Sequence, residues 1–371
     1  MKITMKLNCK LIIAFAALLL MIPWNGSAQD FSKSRYEKRV FAVGKNTEVQ
    51  IANKYGNIHV YEWEQDSVKI EIDLEVKANK ESKMEKTYDM IDFEFTSTDY
   101  YVIAKTNFKS SQGSFWGEVS DLASTIFSGN NKASINFKVY VPKTCHLKLE
   151  NKFGNIYMTD HQGKTEIILS NGNLKAFSFT EDLDLKLDFG DVNIKMMKDA
   201  KITASYANME IGEANEIILE SKSSEYEIGV IEKLSVASRR DKFDIEELAE
   251  LSGDMSFSEI KVDYFSAESL LTTNYGDLNI GSLASTFSKF QLDARYTDVS
   301  LNFAPDAAFV IDLEYTEKTN LSLPAGFEKE NEEVIGQKDD VFKTTGKVGV
   351  GSKLPKVIIK IESGMVNISN Y

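Results

Sequence analysis

The sequence predicts an all-β chain built as a parallel β-solenoid of 17–18 residues per coil, with a small antiparallel β cap near its N-terminus. Three observations predict it. First, a phrase of the form aromatic, Gly, Asn or Asp, apolar, any residue, apolar keeps returning. It reads Asn151-Lys152-Phe153-Gly154-Asn155-Ile156-Tyr157-Met158, then Asp188-Phe189-Gly190-Asp191-Val192-Asn193-Ile194, then Asn274-Tyr275-Gly276-Asp277-Leu278-Asn279-Ile280, with an early copy at Asn53-Lys54-Tyr55-Gly56-Asn57-Ile58-His59-Val60. Second, the phrase has a period. Its Gly position, taken as an anchor, falls at Gly154, Gly172, Gly190, Ala207, Ser224, Asp241, Ser258, Gly276 and Thr297, at spacings of 18, 18, 17, 17, 17, 17, 18 and 21. A fixed period decides the fold before any local reading does. Third, the residues two and four after each anchor are apolar, from Ile156 and Met158 to Val299 and Leu301. The residue five before each anchor is apolar in every copy except at Gly253. Such alternation marks strands with one dry face.

Each unit is therefore read as two short strands joined by a tight turn at Gly-Asn/Asp, the residue types that tolerate left-handed backbone. A unit this short cannot bury its own apolar face and must stack on its neighbours. The aromatic residue before the anchor (Phe153, Phe189, Tyr206, Phe257, Tyr275, Tyr296) shares the parity of the apolar positions. It is read as a corner ladder packed into the core rather than as an exposed stacking platform.

Taken in order, the chain opens with Lys2, Lys6 and Lys10, an apolar run from Leu11 to Ile22, and Gly26-Ser27-Ala28. These are the three parts of a secretory signal peptide, residues 1–28, cleaved after Ala28. The run is about 12 residues, short of the ~20 that a spanning helix needs. Cys9 precedes the run, so it is not an acylation site. The region 29–145 holds a first coil around Gly56 and then the cap, with a long strand through Val68–Val76, a short helix in Lys80–Met90, and strands at Ile91–Thr96, Tyr100–Thr106 and Ser134–Val141. The region 146–371 is the solenoid. A loop or hairpin interrupts it at about 324–355, and a last coil is built on Ile359, Ile361, Gly364, Val366 and Ile368.

Cleavage removes three of the 43 basic residues and no acid, leaving 40 against 56 acidic residues. Such a balance argues against nucleic acid or an anionic lipid surface as partner. Only Cys145 remains as a thiol, so stability must come from the core rather than from a disulfide.

The spaced N-K-[FY]-G-[ND]-[IL]-x-[VMI] copies after a signal peptide, ending in Ile359-Lys-Ile-Glu-Ser-Gly-Met-Val-Asn-Ile368, resemble the "putative adhesin" family of unknown-function domains. That family is related to the head-GIN domain of bacterial envelope proteins. The resemblance covers roughly 47–371. It implies a single-stranded right-handed β-helix and an adhesive role, with no ligand, cofactor or catalytic residue to carry over. Ser224, Asp241 and Ser258 depart from the phrase at the Gly position.

Chemistry is sparse. His59, His146 and His161 are dispersed, without a second ligand at metal spacing. His161, in Thr159-Asp160-His161-Gln162-Gly163, is read as an exposed loop residue. No nucleophile elbow or phosphate loop occurs. The Asn/Asp series after the anchors lacks the nonapeptide period of a calcium β-roll, and is read as bonding to itself or to the turn backbone. Neither cofactor nor metal is expected. Two function classes remain. One is a non-catalytic envelope or secreted module that binds an envelope protein, a glycan or another copy of itself. The other is a polysaccharide lyase or hydrolase, which also uses β-helices. Such enzymes need Asp, Arg and Lys gathered in a cleft, whereas Arg239, Arg240 and Arg295 are the only arginines in the coils. The binding module is favoured, on the site rather than the fold. Phe115 and Trp116, in the Gly/Ser-rich stretch Ser110–Asn131, are the candidate contact residues, because loops on rigid scaffolds commonly carry function.

Overall fold

The computed structural model describes residues 30–44, 47–109, 132–336 and 341–370. The candidate contacts Phe115 and Trp116, and residues 1–28 where a leader is expected, lie outside them. The described residues are all-β: 23 strands hydrogen-bonded into one large sheet, with a helix at Glu81–Met90.

The repeats pair in parallel, each with the next copy of itself. Glu225–Arg239 lies between Leu183–Lys222 and Lys242–Ser256, and the series continues through Glu259–Leu283 to Lys289–Phe303. The register equals the sequence period. Tyr226 faces Phe243 and Ile228 faces Ile245, one repeat apart; Leu278 faces Val299 and Ile280 faces Leu301. Equivalent side chains thus stack into columns, and the inward set forms the core: Val192, Ile194, Leu278 and Ile280 are all at most 2% exposed.

The turn differs from the sequence expectation. It is made one residue earlier than Gly-Asn/Asp. The left-handed residue is the one before each anchor: Tyr55, Phe153, Asn171, Phe189, Tyr206, Ser223, Arg240, Phe257, Tyr275 and Tyr296, with φ from 49° to 68°. The bend is confined to that single residue, so strands such as Leu183–Lys222 run through it. The early anchor glycines serve close approach instead. A Cβ at Gly154 would sit 2.0 Å from the Gly56 carbonyl oxygen, and one at Gly172 would sit 2.0 Å from that of Gly154. There the side chain is excluded by the neighbouring backbone rather than by φ.

Both ends fold back on themselves. The first repeat, Glu48–Lys54 and Ile58–Trp63, pairs in parallel with His146–Lys152 and Ile156–Met158 on one side. On its other side lie Tyr101–Phe108 and Lys132–Pro142, also parallel. The section expected to be purely antiparallel therefore supplies a parallel layer as well. Its antiparallel members are Ile91–Ser97, against Tyr101–Phe108, and Ser67–Ala78, against Lys132–Pro142. Sequence reasoning missed the strand Phe31–Ala42, which pairs antiparallel with Ser67–Ala78. It is rich in charge and lacks clean alternation, as suits an edge. At the other end, Lys356–Ile361 and Gly364–Asn370 do form a repeat. It sits between Lys289–Phe303 and the pair Phe309–Tyr315 and Thr319–Ser322, not outermost. The hairpin expected in 324–355 is Glu328–Val334 with Phe342–Val348, and it zips antiparallel onto Phe309–Tyr315.

Candidate binding surface

The left-handed residue determines where the rings go. Along an extended strand, Phe189 would share the inward parity of Leu185 and Leu187. One left-handed residue reverses that direction, so its own side chain leaves the core while the chain beyond it resumes inward at Val192 and Ile194. Phe153, Phe189, Tyr206, Phe257, Tyr275 and Tyr296 are 39–53% exposed. The aromatic ladder is thus an outward column, not the core element expected from parity.

Register stacks the rings face to face. Phe189 and Tyr206 lie 4.9 Å apart at 4°, Phe257 and Tyr275 5.0 Å apart at 4°, and Tyr275 and Tyr296 4.8 Å apart at 9°. Tyr55 and Phe153 stack at 5.5 Å and 6°. The column is interrupted twice. Asn171 takes one level between Phe153 and Phe189, and Ser223 and Arg240 take two levels between Tyr206 and Phe257. Where the outer rings stop, the core gains a pair: Tyr226 and Phe243, both buried, stack at 4.7 Å.

A second column runs beside the first. Asn136, Asn57, Asn155 and Asn173 each accept, through Oδ1, the backbone N–H of the next turn (of Asn57, Asn155, Asn173 and Asp191), at 2.9–3.0 Å. These side chains are therefore committed to the turns. Where the anchor is no longer Gly, the anchor side chains take over. Ser224 Oγ accepts from Ala207 N–H, Asp241 Oδ1 from Ser224 N–H, and Ser258 Oγ from Asp241 N–H. Asp241 Oδ2 also accepts from the Ser238 hydroxyl at 2.7 Å and from Arg239 N–H at 3.1 Å.

Burial raises the Asp241 carboxyl pKa, and these donors only partly oppose it. Between the ordinary carboxylate pKa and the raised one, the folded state holds a proton that the unfolded chain has released. Stability from this group is fully present below the ordinary carboxylate pKa and declines as pH rises through the raised one. Asp241→Asn is expected to flatten that part of the stability curve, read by urea titration across the acidic range. An unchanged slope would contradict the assignment.

Other candidates resolve differently. His161 is fully buried, not in an exposed loop. Its Nε2 is 3.0 Å from the Cys145 carbonyl oxygen, which joins two segments, and its Nδ1 faces Glu62 Oε1 at 3.4 Å. Burial, with Glu62 nearby, pushes the Cys145 thiol to about 12, which leaves it unreactive. Among the described residues no group of three His, Cys, Asp or Glu is placed to hold a metal ion. An open groove of about 810 Å³ follows the next bend of the repeats. Gly212, Gly229, Phe177, Met196 and Val230 line it, together with acids such as Glu227 and Glu246. Lys261 in that groove is held by Asp263 at 2.9 Å and by Asp244 at 3.2 Å, and both carboxylates are half-exposed. Such solvated, paired groups are poor candidates for general acid–base work.

No family model matches the chain, and no curated protein matches it. Solved structures similar to it include one described as a putative cell adhesion protein, from Clostridium sporogenes. It is 10% identical, over 91% of this chain and 100% of that one, with a TM-score of 0.20. Another, described as a putative lipid binding protein from Parabacteroides distasonis, is 12% identical over 72% of this chain and 93% of that one, with a TM-score of 0.32. A third, described as a putative adhesin from Bacteroides fragilis, is 9% identical over 91% and 97%, with a TM-score of 0.27. The adhesin resemblance read from the repeats is met again among these neighbours. Overlaps this low carry no argument about what this chain binds.

Proposed function

We propose that the protein is an exported, non-catalytic module of the cell envelope or its surroundings. In this reading it is a single-stranded right-handed parallel β-solenoid over 146–371, with the first coil and a β cap over 29–145 behind a signal peptide at 1–28. The outward aromatic column is its contact surface for an envelope glycan or protein. The parallel pairing of each repeat with the next at the sequence period supports the solenoid reading, and no helix among the described residues is long and apolar enough to cross a membrane.

One observation carries the binding role. Non-Gly residues in sparsely populated backbone cost of order 1–3 kcal/mol each, and bulky residues there are outliers. Asn, as at position 171, would adopt this geometry at lower cost. A stacked aromatic pair returns about 0.5–1.5 kcal/mol. Strain and stacking therefore nearly cancel, and stability alone gives no reason to hold large rings half in water. Contact with a partner does, since exposed aromatics are common anchors of interfaces.

The test is affinity capture from envelope extracts with residues 29–371 as bait. Replacing Phe257, Tyr275 and Tyr296 together by Asn is expected to keep the fold and abolish capture of the partner that the unaltered chain retains. Equal capture by both baits would overturn the reading. So would hydrolase or lyase activity abolished by a single Asp or Arg substitution on the repeats.

A further inference from the structure

The wider interruption of the column has a chemistry of its own. Three repeat steps separate Tyr206 from Phe257, about 14 Å at the strand spacing of a sheet. The levels between them carry Ser223, with a short side chain, and Arg240, which is exposed. One face of Tyr206 and one face of Phe257 are thus left without a stacked ring, whereas their other faces are covered by Phe189 and Tyr275.

Cations surround this gap. Lys222 and Arg239 face each other in register on neighbouring strands, and Arg240 follows directly. All three are exposed. Like charges directly opposite each other destabilise a sheet. In a chain with formal net charge −13, opposite partners are plentiful, yet none of the three side chains forms an ion pair among the described residues. Nearby, Lys242 lies in register between Glu225 and Glu259, so its charge is locally offset. The Asn171 gap differs: its flanking rings are Phe153 and Phe189, and the residue preceding it is Ser170.

We propose that the gap between Tyr206 and Phe257 binds an acidic sugar of a glycan chain. The pyranose face lies on a free ring, and its carboxylate is taken by the guanidinium groups of Arg239 and Arg240 with Lys222 beside them. This rests on the column being a contact surface, and it names the class of ligand. Planar guanidinium suits a carboxylate because it can donate two parallel hydrogen bonds. The patch is only two strands tall, which fits an isolated charge among flat, weakly charged rings. A nucleic-acid strand would carry a charge at every residue past the acidic remainder of the surface, where it is repelled.

The experiment is calorimetric titration of residues 29–371 with digalacturonate (an oligogalacturonate short enough to keep its charges within the two-strand patch), a neutral oligoglucan of equal length and a single-stranded oligonucleotide. Three variants accompany it. Ser223→Tyr fills the gap with a residue type that this backbone position already accepts at Tyr206, Tyr275 and Tyr296. Arg240→Gln removes a charge, and Asn171→Tyr fills the other gap. The oligogalacturonate is expected to bind at least tenfold more tightly than the other two ligands. Ser223→Tyr and Arg240→Gln should each weaken it at least tenfold with unchanged melting, and Asn171→Tyr should leave it unaltered. Absent oligogalacturonate binding, equal binding by Ser223→Tyr, or tighter binding of the oligonucleotide would overturn the proposal. If Ser223→Tyr fails to fold, Arg240→Gln decides. A shift in melting for Arg240→Gln with binding intact would assign the cations to balancing the buried Asp241 instead, which also overturns it. Loss of envelope capture in the Phe257, Tyr275 and Tyr296 variant, with no oligogalacturonate binding, would sink this proposal and leave the column's contact role standing.

Discussion

Replacing Gly190 by Ala is expected to destabilise the protein by about 3 kcal/mol or more, the upper range for inserting a methyl into fully packed structure. The added Cβ would lie 1.9 Å from the Gly172 carbonyl oxygen. Backbone that is hydrogen-bonded on both sides cannot move by the ångström or more required without breaking the stack. Gly172 in turn rests on Gly154, and Gly154 on Gly56, at the same 2.0 Å approach. A displacement at one level is therefore passed to the next. The matched control is Ala207→Ser, at the equivalent position one repeat further on, where Ser224, Asp241 and Ser258 show that a polar side chain is accommodated. Its cost should stay below about 1 kcal/mol. Urea denaturation of the two variants compares them directly, and equal midpoints would refute the close-approach assignment.

Ile280→Asp is expected to cost several kcal/mol and to leave little folded protein, because it places an unpaired carboxylate in the stacked core. Ile280 is 0% exposed and lies in register with Leu301. The adjacent Asn279 points to solvent, so Asn279→Ser should cost well under 1 kcal/mol. Thermal melts of the pair read the inward and outward faces in one comparison. Equal shifts would show that the alternation has been assigned to the wrong face.

Much of the architecture was legible because it depends on periodicity. Val192, Ile194, Leu278 and Ile280 could be placed inside from spacing alone, and the equal steps between anchors predicted parallel pairing at the repeat offset. Two classes of feature were not legible. The first is the handling of the ends. Nothing in the spacing of Ile359 and Val366 says that another layer, Phe309–Tyr315 with Thr319–Ser322, will lie outside them, because pairing partners at that distance are chosen by tertiary packing. The second is the aromatic column. Parity placed Phe189 and Tyr275 in the core, and a single left-handed residue reverses parity without any change in residue type. A signal was nonetheless present: Asn171, Ser223 and Arg240 occupy the same position in other copies, and polar residues do not alternate freely with Phe in a core ladder. His161 was misplaced for a related reason, since its loop-like neighbours hide a side chain that Cys145 and Glu62 enclose.

Successive repeats stack in parallel, one strand spacing per repeat, so that equivalent outward residues form columns. Pairs of nitroxide labels on the position after the anchor test this stacking most directly, in a Cys145→Ala background. Asn208 and Glu259 are three steps apart, Asn208 and Asp298 five, and Asn173 and Asp298 seven. Electron–electron dipolar spectroscopy is expected to give distances that rise in equal increments, about 14, 24 and 34 Å before allowance for the label arms. Distances that fail to rise with the number of repeats between the labels would contradict the stack, and with it the outward column on which the proposed function rests.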